Sequence, residues 1–172
     1  MKRIELRRHT DNDGDVLSDE GVRAALEIGS RLPGGYALLV STGAQRATQT
    51  LACFASAMRH PVFGGATVEM RLRSDHEDRW RAAYAKAGSG RLEDLRAADP
   101  ELVESDSRVL GDALRRILER LGEGETALVV GHSPTNEAAV LGLTGEIVEP
   151  ISKGAGVLVS VEGEDSQVEP LD

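Results

Sequence analysis

Arg7-Arg8-His9-Thr10 closes the first apolar-alternating run of the chain. Ile4, Leu6 and Arg8 alternate with Glu5, Arg7 and His9, which is the period of a strand. The run stops in Thr10-Asp11-Asn12-Asp13-Gly14, a turn-forming cluster. A histidine and an arginine are thereby delivered at the mouth of a strand, where open α/β sheets bind their ligands. A guanidinium fork matches a phosphate, and a neutral imidazole can attack one. Two later places repeat the arrangement. Ser41-Thr42-Gly43 ends a second apolar run and leads into Arg46, and Gly131-His132-Ser133-Pro134 ends a third. Parallel strands would put Arg8, His9, Arg46 and His132 at one edge of a sheet, around one anion-sized space.

The elements that must position these residues are legible from periodicity and punctuation. Ser18 caps a helix that runs to about Leu32, with Val22, Leu26 and Ile28-Gly29 on its buried side and Pro33-Gly34-Gly35 as its stop. Tyr36 to Val40 reads as a buried parallel strand, followed by a helix from about Ala44 to Met58. A third strand is expected near Thr67–Leu72. Two short helices follow, near Glu77–Lys86 and Arg91–Ala98, in an excursion at about 60–107 that covers the sheet and would carry specificity. Trp80 and Tyr84, one helical turn apart, are expected to pack that excursion down. Val109 to Leu121 has the apolar spacing of an amphipathic helix. Thr126 to Val130 is the most hydrophobic strand, and a helix runs from about Thr135 to Leu143. Gly156–Val161 and Gln167–Leu171 are two late strands joined by an acidic hairpin. Strands alternating with helices predict a single domain over 1–172, a three-layer α/β/α sandwich around a mostly parallel sheet.

Composition narrows the function classes. The 172 residues are 40% hydrophobic, which suits one globular core, and 3% aromatic, which argues against a base-stacking nucleic-acid platform. The net charge of −9 arises wholly after residue 121, where Lys153 is the only basic residue against ten acidic ones. That end would repel a polyanion, so no nucleic-acid partner is expected. No apolar run approaches the ~18 residues of a membrane span, and Met1-Lys2-Arg3-Ile4-Glu5 enters a strand without an apolar leader. The single cysteine, Cys53, excludes an internal disulfide and a multi-cysteine metal site. These features predict a cytoplasmic protein. No metal-ligand spacing is present, and neither a metal nor a cofactor is expected.

Taken together, the three ordered segments resemble the signatures of the histidine phosphatase superfamily, with its phosphoglycerate mutase-like fold. Arg8-His9-Thr10 resembles the family's Arg-His-Gly triplet. Ser41 to Thr50 is similar to its Ser-Pro-x-x-Arg-Ala-x-Gln-Thr segment, and Gly131-His132-Ser133 resembles its Gly-His-Ser. The resemblance implies a phosphatase in which His9 is the nucleophile and becomes phosphorylated, while Arg8, Arg46 and His132 bind the phosphoryl oxygens. It implies as substrate a phosphorylated small molecule or a phosphoprotein.

Two departures stand out. Thr10 occupies the place of the family's glycine, where a side chain would narrow the pocket. Many members also carry a glutamate proton donor after the third strand; that position here is Ser74, with Asp75 and Glu77 as nearby substitutes and Asp75 slightly preferred. The small phosphohistidine phosphatases of the superfamily manage without that glutamate, and their length is similar. A phosphohistidine protein phosphatase and a non-catalytic phosphate-binding module are therefore the competing readings. Each residue also has a purely structural alternative: a strand-end ion pair for Arg8 and His9, a surface arginine for Arg46, a capping role for His132, and a solvated loop carboxylate for Asp75.

Overall fold

β1 (Lys2–Arg8) lies inside the sheet. The computed structural model, which describes Met1–Asp172, pairs it in parallel with β6 (Thr126–Gly131) and antiparallel with β7 (Gly156–Glu162). Four strands run parallel: β1, β6, β4 (Leu38–Ser41) and β5 (Ala66–Val68). With β7 and the antiparallel β8 (Asp165–Leu171), the order across the sheet is β5-β4-β6-β1-β7-β8. A separate two-stranded hairpin, β2 (Asn12–Asp13) with β3 (Val16–Leu17), follows β1.

Helices cover both faces, giving the three layers expected from the strand–helix alternation. α1 (Asp19–Arg31) and α2 (Gln45–Met58) lie on one side, where Ala25, Leu51 and Phe54 meet Leu39, Leu128 and Val130. On the other side are α3 (Glu77–Ala87), α4 (Leu92–Ala98), α5 (Pro100–Arg120) and α6 (Thr135–Thr144). Their apolar residues meet Ile4, Leu6, Val40, Ala127 and Val129. Successive β6 residues thus enter opposite cores, as the two-residue strand period requires. No helix is long and apolar enough to cross a membrane.

Several expectations need correction. α1 does not bury Val22 and Leu26, which are 36% and 40% exposed; its buried line is Gly21, Ala25 and Gly29. Small residues four apart let the backbones of α1 and α2 approach closely. A Cβ on Gly29 would lie 2.8 Å from Phe54 Cα. Pro100 does not break the excursion but opens α5, with the Asp99 side chain accepting from Leu102 N. Pro at a first helical position loses nothing, because that N–H has no partner in a helix. The helix read over Val109–Leu121 is thus the second half of a longer one. The strand expected over Thr67–Leu72 ends at Val68, and a 3₁₀ turn, Met70–Leu72, follows. Trp80 is buried, yet Tyr84 is 55% exposed and packs nothing down.

The polar face of β1 is also buried. Arg7 Nε donates to Glu5 Oε1 at 2.6 Å, and Tyr36 OH donates to Glu5 Oε2 at 2.6 Å. Burial, reinforced by the Glu5 carboxylate, pushes the Tyr36 phenol well above its usual range. Tyr36 therefore precedes β4 instead of starting it, and acts as a polar prop beneath β1.

The face of α1 is open to a direct test. Gly29→Ala adds a methyl where Phe54 backbone atoms stand at 2.8 and 2.9 Å. It should cost about 1–3 kcal/mol by overpacking, beyond the ~1 kcal/mol that helix propensity returns. Leu26→Ala should move stability by less than about 0.5 kcal/mol. Urea midpoints of the two variants measure the contrast, and the reverse order would put the buried face back on Leu26.

Candidate active site

The parallel ladder of β1 and β6 pairs Arg8 with Gly131, and His9 N donates to Gly131 O at 3.0 Å. The next residues of the two strands, His9 and His132, are therefore neighbours, with ring centroids 5.3 Å apart and planes at 58°. Asn136, in the first turn of α6, closes the arrangement. Its Oδ1 accepts from His132 N at 3.2 Å and its Nδ2 donates to Arg7 O at 3.1 Å. A Cβ on Gly131 would lie 2.3 Å from that Oδ1, so a side chain before His132 would displace the Asn136 amide.

His9 is buried, and its Nδ1 lies 2.8 Å from Thr10 O. A carbonyl only accepts, so Nδ1 carries the proton and Nε2 keeps a free lone pair. Burial pushes His9 down to about 4; the Arg46, Arg8 and Lys153 charges add to this, while the Thr10 carbonyl opposes it. Burial, followed by Arg46, His9 and Arg73, pushes His132 down to about 3. Both rings are thus neutral near pH 7. Thr42, at the end of β4, places its Oγ1 2.7 Å from His132 Nε2, while His132 Nδ1 is buried without a partner.

The two arginines reach the same region from different elements. Arg8 continues the Ile4–Leu6 face of β1; its Nη1 donates to Ile151 O at 3.0 Å, and its Nε is buried with no acceptor. Burial lowers the Arg8 pKa, and the Glu137 carboxylate works against that. Arg46, in the first turn of α2, binds Asp15 of the β2–β3 hairpin, Nη1 to Oδ1 at 2.7 Å. A cavity of about 290 Å³ opens beside this group and is bordered by Arg46, His132, Arg73, Glu77 and Tyr84.

Thr10 does not narrow the pocket. Its hydroxyl donates to Gly21 O at 2.8 Å and so faces α1. Ser74 is buried and donates to Asp106 Oδ2. Asp75 is exposed, makes no hydrogen bond or ion pair, and borders a second, wider groove of about 740 Å³ together with Thr42 and His76. Of the two nearby carboxylates, Glu77 is the one on the cavity beside His132, and Arg73 Nε donates to it at 2.8 Å.

Searches by sequence return nothing: no protein-family model matches the chain, nor does any curated protein. Solved structures do match. YhfR of Bacillus stearothermophilus superposes with a TM-score of 0.72 at 18% identity, over 99% of this chain and 96% of that one. A phosphoserine phosphatase of Entamoeba histolytica, solved with 3-phosphoglyceric acid, gives 0.73 at 16% identity over 100% and 98%. The protein histidine phosphatase SixA, solved with tungstate, gives 0.62 at 18% over 98% and 96%. The fold is that of the phosphoglycerate mutase-like histidine phosphatases.

Within this histidine phosphatase fold, sequence reasoning passed over four residues at the site. In the sequence Thr42 stands as a turn residue and Asn136 as a helix residue, and Arg73 carries no signal of its own. The fourth is Glu137, which is fully buried. Its Oε1 accepts from Ser133 Oγ at 2.5 Å and Ile151 N at 2.8 Å, and burial raises its pKa. Glu137 thereby ties the loop after His132 to the carbonyl that holds Arg8. One signal was available: a carboxylate on an otherwise apolar helix, Ala138-Ala139-Val140-Leu141.

Because His9 and His132 have folded-state pKa values below 6.5, the unfolded chain takes up their protons first as pH falls. Their stabilising contribution is complete above about pH 6.5 and is lost from there down toward about 4. His132→Ala should flatten the decline of the urea midpoint between about pH 6.5 and 4.5 relative to the parent. Parallel declines would show that His132 is not buried neutral. Nitrogen NMR at pH 7 should find His9 protonated on Nδ1.

Proposed function

We propose that this protein is a metal-independent phosphatase that hydrolyses a phosphomonoester through a phosphohistidine on His9. The observation that carries the reading is the state of His9. It is a buried, neutral imidazole whose Nδ1 proton is committed to Thr10 O, so Nε2 is left as the nucleophile. His132 stands beside it, Arg8 and Arg46 bear on it, and no carboxylate is bonded to either ring. Phosphoryl transfer needs positioning and charge stabilisation more than covalent help from the protein. Arg8, Arg46 and His132 supply donors for the phosphoryl oxygens, and the unpartnered Arg8 Nε is a donor that such an oxygen would satisfy. The ester oxygen leaves as His9 Nε2 bonds to phosphorus. Water then attacks the phosphohistidine and releases phosphate.

The structural neighbours include proteins named as phosphoserine phosphatase, α-ribazole phosphatase and the protein histidine phosphatase SixA, a range that supports this chemistry without choosing a substrate. A narrower reading, a phosphohistidine phosphatase acting on a protein, is favoured by one observation: Ser74 presents no carboxylate and is itself bonded to Asp106. An imidazole leaves more readily than an alkoxide, so such an enzyme needs less acid help. A phosphate-binding module without turnover is the reading from another class.

Turnover separates them. His9→Ala should abolish hydrolysis of p-nitrophenyl phosphate, glycerol phosphate and a phosphohistidine protein alike, and should remove an acid-labile phosphoenzyme trapped from labelled substrate. Arg46→Gln should lower kcat/KM by about 10²–10³-fold, as for loss of one transition-state donor. Unchanged turnover in His9→Ala would sink the proposal. Phosphate binding without turnover in the parent chain would leave the binding-module reading.

A further inference from the structure

Resting on the phosphatase reading, we infer that His76, backed by Asp106, protonates the leaving oxygen. Asp106 lies on the buried face of α5, and its side chain is only 8% exposed. A carboxylate taken that far from water must be compensated. Its Oδ2 accepts from both Ser74 Oγ and Trp80 Nε1, the latter at 2.7 Å. Its Oδ1 accepts from neither, and His76 Nε2 stands 4.0 Å from it.

The backbone of His76 is fixed by the same network. His76 N donates to Ser74 Oγ at 2.9 Å, so one serine is bonded both to the carboxylate and to the residue that carries the imidazole. His76 is half exposed and borders the 740 Å³ groove. Thr42 borders the same groove, and the Thr42 hydroxyl lies 2.7 Å from His132 Nε2. Ser74 borders both this groove and the cavity at His132. His76 thus shares a groove with Thr42, the residue bonded to His132, while Ser74 joins that groove to the cavity at His132.

The competing carboxylates are less suited. Arg73 Nε occupies Glu77 Oε1, and Asp75 lies in solvent with no group to orient it. Asp106 Oδ1 lies 4.0 Å from His76 Nε2, beyond a hydrogen bond but within range of a charge interaction. With Nε2 toward Asp106, Nδ1 is the nitrogen that gives up the proton. As His9 Nε2 bonds to phosphorus and the P–O bond breaks, the Nδ1 proton passes to the leaving oxygen and His76 becomes neutral. When water attacks the phosphohistidine, its proton returns to His76. The alcohol and inorganic phosphate leave, and the pair is restored.

The test uses the full chain and two substrates that differ in their need for an acid: glycerol phosphate, with an alkoxide leaving group, and p-nitrophenyl phosphate, whose leaving group needs little help. His76→Gln should lower kcat on glycerol phosphate by about 10²-fold, within the range for a general acid, and change kcat on p-nitrophenyl phosphate by no more than a few-fold. Asp106→Asn, a positioning change, should give a smaller loss of the same selectivity with KM unaltered. Because Asp106 is buried, the half-exposed His76 carries the decision. Equal losses on both substrates, or none on glycerol phosphate, would overturn the inference. A selective loss in Asp75→Asn with none in His76→Gln would give the role to Asp75 and overturn it as well. A parent chain inert on both substrates would overturn the phosphomonoester reading and the donor with it. That outcome is distinct from an active parent whose His76→Gln variant loses nothing.

Discussion

The hydrogen bond from His9 N to Gly131 O is the last rung of the β1–β6 ladder, and the rest of the site depends on it. Parallel pairing has one consequence that antiparallel pairing lacks: residues just beyond two neighbouring strands emerge at the same edge. His9 and His132 meet because the register stops at Arg8 and Gly131. Where the ladder ends, the backbone would be left without partners, and Asn136 supplies them from α6 to both strands at once. One side chain thus extends the sheet beyond its own hydrogen bonds, and the glycine at 131 is the space it needs.

Burial then sets the chemistry of the two rings. In water an imidazole is partly protonated near neutral pH. Here the low-dielectric surroundings and the nearby guanidiniums both disfavour a further positive charge. The arginines that would hold a phosphate therefore also keep the nucleophile neutral. Arg46 has its own cost, since a cation in the first turn opposes the helix dipole. Asp15, reaching over from the β2–β3 hairpin, offsets it with an ion pair at 2.7 Å. The other face of β1 is electrically separate: Glu5, Arg7 and Tyr36 satisfy one another there, so the Arg7 charge is spent on Glu5 and on the carbonyls of Gly154 and Asp172.

The excursion after β5 shows how a polar network can be assembled from residues that look unrelated. Ser74, His76, Trp80 and Asp106 come from a loop, a helix cap, a helix and the long helix α5. Ser74 and Trp80 donate to one buried carboxylate, Asp106, and His76 N donates to the same Ser74 hydroxyl. Pro100 and Asp99 make this possible. By starting α5 nine residues before the apolar pattern expected from Val109, they bring Asp106 onto that helix.

Some of this was legible in the residues alone. The alternation of buried strands with amphipathic helices dictated three layers, because each apolar face must be covered. The abrupt end of three apolar runs in Arg8-His9, in the approach to Arg46 and in His132 marked one sheet edge, because parallel strands point their ends the same way. On α1, Ile28 and Gly29 face inward as hydrophobicity predicts, but Val22 and Leu26 do not, because close approach to the Asp11 backbone at Gly21 and to α2 at Gly29 turns the small residues inward. The neutrality of His9 and the separate fates of Arg7 and Arg8 were not legible either. Both depend on how deeply a group is buried and which groups surround it, and some of those, such as Ile151, Lys153 and Gly154, lie more than a hundred positions away. Local sequence determined which elements form and where they stop. Long-range packing decided which polar atoms were satisfied, and so which were left free to act.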